Sequence, residues 1–181
     1  MKISYIHILI FSAVLILVFF ILMKKKKSKL LTENENESSQ IPRGVRNNNF
    51  GNVKYRAENK WRGKVPYSEN TDKVFEQFKT PEYGARAQMI LIRNKFNSGL
   101  NTIDKIISEY APPVDLQLGV KNNTAEYINY VSDFLDYDSD QNIDLNDGDM
   151  LKNMAYAMGL FENSEHPAVK FEIYKKAYDL I

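Results

Sequence analysis

The helical apolar pattern Met150, Leu151, Met154, Ala157, Met158 runs into Phe161-Glu162-Asn163, so it delivers a carboxylate to the end of a buried helix. Desolvation beside Phe161 would raise the pKa of Glu162 and suit it to donate a proton to a glycosidic oxygen. The plain alternative is an ordinary surface glutamate. Arg43 to Val53 packs four asparagines and two arginines into eleven residues (RGVRNNNFGNV). Asparagine beside glycine marks turns whose side chains bond their own backbone; the other reading is a polar ligand-binding loop. Asp136 to Asp147 offers oxygen ligands at loop positions 1, 3, 5, 9 and 12, from Asp136, Asp138, Asp140, Asp144 and Asp147, with Ile143 at position 8. That spacing lets alternate side chains converge on Ca²⁺. Gln141 replaces the usual glycine and Asp147 the usual glutamate, so a solvated acidic loop capping the next helix competes with it. No other cofactor is expected.

Other chemistries lack their residues. With no cysteine and with His7 and His166 as the two histidines, neither a zinc site nor a serine or cysteine nucleophile with a base is supported. Carboxylates remain as the acid/base groups. Of the 24 Lys and Arg residues, Lys2, Lys24 to Lys27 and Lys29 flank one N-terminal segment, leaving 18 against 23 acidic residues over the rest. An acidic domain is a poor partner for nucleic acid.

Ile3 to Met23 contains no charge and would span about 31 Å as a helix, close to a hydrocarbon core. Residues 1–29 are therefore expected to form a transmembrane anchor with a basic flank that also meets lipid headgroups. The five lysines after the span point the remainder to the cytoplasmic side. Residues 30–41, polar and acidic, read as a flexible tether, and 42–181 as one domain.

Within that domain, Val53 to Arg56 and Val74 to Phe78 look like brief strands among Asn, Gly and Pro. Thr80-Pro81-Glu82 starts a helix that Gly99 ends, and a second runs from Thr102 to the Pro112-Pro113 stop. A third starts near Asn123 or Thr124, a fourth after Asp147, and a fifth covers about Val169 to Leu180. The expected fold class is an N-terminal transmembrane helix plus a small, mainly α, α+β domain.

These motifs, taken in order, resemble a family of phage and prophage virion proteins whose domain opens with R-G-[IV]-R-N-N-N-P-G-N-[IL]. Arg43 to Val53 follows that pattern except at Phe50, which could instead offer a sugar-stacking face. Trp61 with Gly63, Pro81-Glu82 with Gly84, Gly99 to Ile103, Tyr110 to Pro113, and Asn123-Thr124 with Tyr127-Ile128 continue the resemblance over about residues 42 to 165. In that family the late helix ends in a glutamate followed by Asn or Gly, where Glu162-Asn163 stands. The resemblance implies a lysozyme-like fold with its β segment permuted ahead of the helices, and a peptidoglycan glycosidase of lytic transglycosylase or lysozyme type. It makes Glu162 the proton donor, and Glu58 and Glu69 the candidates for a second acid. It makes Asn47, Asn48, Asn49, Asn52 and Trp61 substrate-binding or loop-shaping residues, with Arg43 and Arg46 meeting peptide carboxylates. The expected partners are peptidoglycan strands, the lipid bilayer and other virion membrane or capsid proteins. The expected location is a virion membrane derived from the host inner membrane, from which the enzyme would act in genome delivery. The competing expectation is a non-catalytic virion structural or glycan-binding protein.

Overall fold

Local signals place most helices where the structure has them. The computed structural model describes residues 23–25 and 41–181. A single helical turn, α1 (Arg43–Arg46), precedes the asparagines. The helix α2 (Pro81–Asn97) begins with Pro81 at its first position, where the missing N–H costs nothing, although the Thr80 hydroxyl makes no capping bond. Next come α3 (Ile103–Tyr110), the strands β1 (Val114–Asp115) and β2 (Val120–Lys121), α4 (Thr124–Leu135), α5 (Gly148–Glu162) and α6 (Phe171–Tyr178). Asp147 caps α5 by accepting from the Asp149 N–H at 2.9 Å, as its place before the apolar pattern predicts.

The helix that ends in Glu162 is the central one. Leu151, Met154, Ala155, Ala157, Met158 and Gly159 are all buried, against α4, α6 and α2, and each large side chain among them contributes about 1.5–3 kcal/mol of apolar burial. Such a helix is fixed along its length, so its last turn is a rigid platform.

The loop-rich segment before α2 pairs less than its sequence suggests. The expected strands at Val53 to Arg56 and Val74 to Phe78 are reduced to isolated bridges, Lys54 with Phe75 and Lys64 with Phe78. A few backbone bonds remain, the Tyr55 N–H to the Val74 carbonyl and the Glu76 N–H to the Val53 carbonyl, and the side chains of Asn49 and Asn70 bond further carbonyls there. The only named sheet among the described residues is the antiparallel pair β1 and β2, with Val114 opposite Lys121 and Asp115 opposite Val120. Its acidic residue points inward and its valines outward: Asp115 is buried and bonded to Lys54 Nζ at 2.5 Å, whereas Val114 and Val120 are exposed, as is Leu116 in the connecting turn.

The expected fold class and the single-pass membrane location are corrected by the structure. Among the described residues no helix is long and apolar enough to cross a membrane. The longest, α2, has 17 residues and carries Glu82, Arg86, Arg93 and Lys95. What the structure supports is a small, mainly helical domain with a two-stranded sheet, in which Pro42–Ile181 form one compact unit. The span placed at residues 3 to 23 lies outside the described residues apart from Met23, as does the tether apart from Ile41.

Candidate active site

The end of α5 is built so that its half-buried carboxylate lies among protein groups. Ser164 and Glu165 both take left-handed backbone (φ 50° and 54°), and the Glu165 N–H returns to the Leu160 carbonyl at 2.8 Å, closing the helix immediately after Glu162. Asn163 is fully buried. Its Nδ2 donates to the Gly159 carbonyl within the helix and to the Phe50 carbonyl in the asparagine loop, both at 2.8 Å. One residue earlier, Glu162 Oε2 accepts from Asn52 Nδ2 at 2.8 Å. Adjacent residues at the helix end are thus clasped to Phe50 and Asn52 of one loop.

Phenols complete the surroundings. Tyr127 stacks on Phe161 with ring centres 4.2 Å apart, and its hydroxyl reaches both the Met158 carbonyl (3.3 Å) and the Glu162 carboxylate. Its single proton can serve one of these acceptors at a time. Tyr110 donates to the Gly51 carbonyl at 2.5 Å, and Tyr174 donates to Gln88 Oε1 at 3.1 Å. Burial raises the pKa of Glu162 above 4.5, against the opposing hydrogen bonds from Asn52 and Tyr127. The negative end of the α5 dipole works in the same direction as burial. Burial also pushes Tyr110, Tyr127 and Tyr174 well above the ordinary phenol value, with the Glu162 charge adding to it. The result is one partly desolvated carboxyl among neutral hydroxyls and an amide, an arrangement able to hold and release a proton.

Comparison with known proteins places this chain. Protein P5 of Pseudoalteromonas phage PM2 is 33% identical over 144 residues, which cover 78% of this chain and 82% of that protein. The chain belongs to the P5 family of phage proteins. No protein-family model matches it.

In this P5-family chain the asparagine motif divides by role. Asn47 is buried and donates to Asp72 Oδ2 at 2.9 Å. Asn48, left-handed at φ 51°, donates to the Phe78 carbonyl at 3.0 Å. Asn49 is fully buried; its Nδ2 bonds the Val53 and Glu76 carbonyls at 3.0 and 2.8 Å, and its Oδ1 accepts from the Val53 N–H at 2.9 Å. These three shape the loop. Asn52 alone of the four reaches Glu162.

The remaining expected residues are spread over the domain. Arg43 lies 3.5 Å from Asp72 and 4.7 Å over the Phe75 ring, and Arg46 is exposed. Trp61 is half-buried, its Nε1 enclosed without a partner. Phe50 is 2% exposed and packs near Tyr174, so its ring fills the core and is closed to a sugar. Glu58 and Glu69 are exposed. In the acidic loop Asp136 ends α4 in left-handed backbone, Asp144 accepts from the Asn146 N–H at 2.9 Å, and Asp147 caps α5. Among the described residues no group of three carboxylate or imidazole side chains is placed to hold a metal. Burial of Ile143 and Leu145 orients that loop and leaves Asp144 outward.

Sequence reasoning missed three contributors. Tyr127 lies in the core and Tyr110 packs against it, and nothing in a helical period tells a core phenol from one beside a carboxylate. Asn163 had a signal, since it directly follows the singled-out glutamate, but its bond to Phe50 spans 113 positions.

Proposed function

We propose that this P5-family protein is a virion-associated enzyme that cleaves the glycan strands of peptidoglycan, with Glu162 as the proton donor to the leaving oxygen. The observation that carries the reading is the position of Glu162 at the closed end of a buried helix, its carboxyl raised by burial and held by Asn52 at 2.8 Å. A donor of this kind must be protonated near the working pH and must accept the proton again afterwards. The sequence resemblance to phage virion proteins and the identity with a phage protein support association with other virion components.

The buried or half-buried carboxylates nearest the loop are already engaged, Asp72 with Asn47 and Arg43, Glu76 with Lys64 at 2.8 Å, and Asp115 of β1 with Lys54, while Glu58 and Glu69 are exposed; this favours chemistry that needs one acid. With Glu162 working alone, the substrate's own 6-hydroxyl would close the ring, and Glu162 would take back that proton, leaving an anhydro sugar. Mass spectrometry of the released muropeptides tests this: anhydro ends agree with it, and reducing ends contradict it.

One observation favours a second reading. Asn47, Asn48 and Asn49 are committed to the fold, so the motif that carries the family resemblance is largely structural. A non-catalytic virion protein that keeps the fold as a scaffold would show the same three side chains. Clearing of a peptidoglycan gel by the full chain separates the two: activity that Glu162→Gln abolishes supports the enzyme, and no clearing supports the scaffold.

A further inference from the structure

Asn52 carries an atom that its bond to Glu162 leaves unexplained. Its Nδ2 donates to Glu162 Oε2, but its Oδ1 is buried without any partner. An unpaired buried acceptor is unfavourable, so such an atom calls for a function or a transient donor. Substrate is a poor donor, because Oδ1 is closed to solvent. The carboxyl group beside it is a good one once it is protonated.

We propose that Asn52 positions Glu162 in both of its protonation states, Nδ2 donating to the carboxylate and Oδ1 accepting the proton of the carboxylic acid. The inference rests on Glu162 gaining and losing a proton, and thereby deepens the glycosidase reading. An amide is suited to this because it presents a donor and an acceptor side by side, matching the acceptor and donor of a neutral carboxyl. A lysine in its place, with donors and no acceptor, could not take up the acid's proton.

The backbone around Asn52 is fixed for the purpose. Residue 52 is left-handed (φ 46°), a conformation asparagine tolerates at low cost. The preceding peptide is held by the Tyr110 bond to the Gly51 carbonyl, and a Cβ on Gly51 would come within 2.6 Å of the Tyr110 hydroxyl. The titratable groups facing Glu162 are Tyr110 from α3, Tyr127 from α4 and Tyr174 from α6. All three stay neutral where a carboxyl titrates, so the proton on Glu162 is the one change the amide senses.

An NMR titration of the full chain, following the Glu162 side-chain carbon and the Asn52 amide nitrogen and carbonyl carbon, tests the proposal. Both Asn52 signals are expected to shift with the midpoint of Glu162. In Glu162→Gln, whose amide mimics the protonated acid, they are expected to stay at their low-pH positions throughout. Asn52→Asp, which suits the same backbone, is expected to raise the Glu162 midpoint, since two carboxyls then compete for one proton. Asn52 signals that ignore the titration, or an unmoved midpoint in a folded Asn52→Asp variant, would overturn it. Should that variant not fold, the wild-type and Glu162→Gln titrations decide. None of these readouts requires turnover: a chain that clears no peptidoglycan refutes the glycosidase reading while the titration still judges Asn52.

Discussion

Asn52 and Glu162 are 110 positions apart in the chain, and 2.8 Å separates their side chains. The bond joins an irregular loop to the last residue of the most buried helix, so the loop's placement and the carboxyl's electrostatics are set together. It favours the charged carboxylate, whereas burial favours the neutral acid and outweighs it.

That balance has a consequence for stability. A carboxyl raised on folding binds more protons in the folded than in the unfolded chain between its ordinary value of 4.5 and its raised one. Its contribution therefore falls as pH rises through that window and stays constant above it. Glu162→Gln, neutral and of the same shape, is expected to melt at a higher temperature than the wild type at pH 7. The difference should shrink as pH falls through that window and be gone below 4.5. Calorimetry across pH 3.5 to 8 checks this, and a variant less stable at pH 7 would contradict it.

Gly84 marks where α2 meets the asparagine loop backbone to backbone. A Cβ there would overlap the Asn48 carbonyl oxygen, a main-chain atom that cannot move aside without Asn49. Gly84→Ala is expected to cost roughly 2–3 kcal/mol despite its better helix propensity. Urea denaturation reads the loss directly; a stabilised variant would mean that the loop is free to shift.

The Asn163 clasp is tested by Asn163→Ala, which leaves the Phe50 carbonyl without its side-chain donor. The expected loss is about 1–3 kcal/mol. Because Phe50 leads to Asn52, activity should fall as well, and amide exchange across residues 50–53 should quicken.

Lys64 and Glu76 form the most enclosed ion pair among the described residues, with Glu76 fully buried and Lys64 also lying 4.2 Å over the Tyr55 ring. Lys64→Met is expected to destabilise by about 3–5 kcal/mol, since it strands a buried charge. The double variant Lys64→Met with Glu76→Leu should recover part of that loss. A double variant as unstable as the single one would show that the pair's bonds to backbone matter more than its charge.

Legibility from sequence followed the range of the forces involved. Pro81 at a helix start, Asp147 at an N-cap and the Met154, Ala157, Met158 stripe act over one or two turns, and the helices they mark are present. The hairpin of Val114 to Lys121 was not expected, because it reverses the usual pattern: Asp115 turns inward to Lys54 and Leu116 outward. The strands expected near Val53 and Val74 failed for a related reason. Asn49 and Asn70 satisfy the carbonyls there by side-chain bonds, which alternation of apolar residues cannot reveal. Glu162 could be singled out by its place at a helix end, but choosing Asn52 from four asparagines required the tertiary structure.

Proton donation by Glu162 in peptidoglycan cleavage is tested most directly by a zymogram of this chain beside its Glu162→Gln variant. A cleared band from the wild type and a loss of at least about a hundredfold in the variant are expected, the scale of general acid catalysis. Equal clearing by both, or none by a folded wild type, would contradict it.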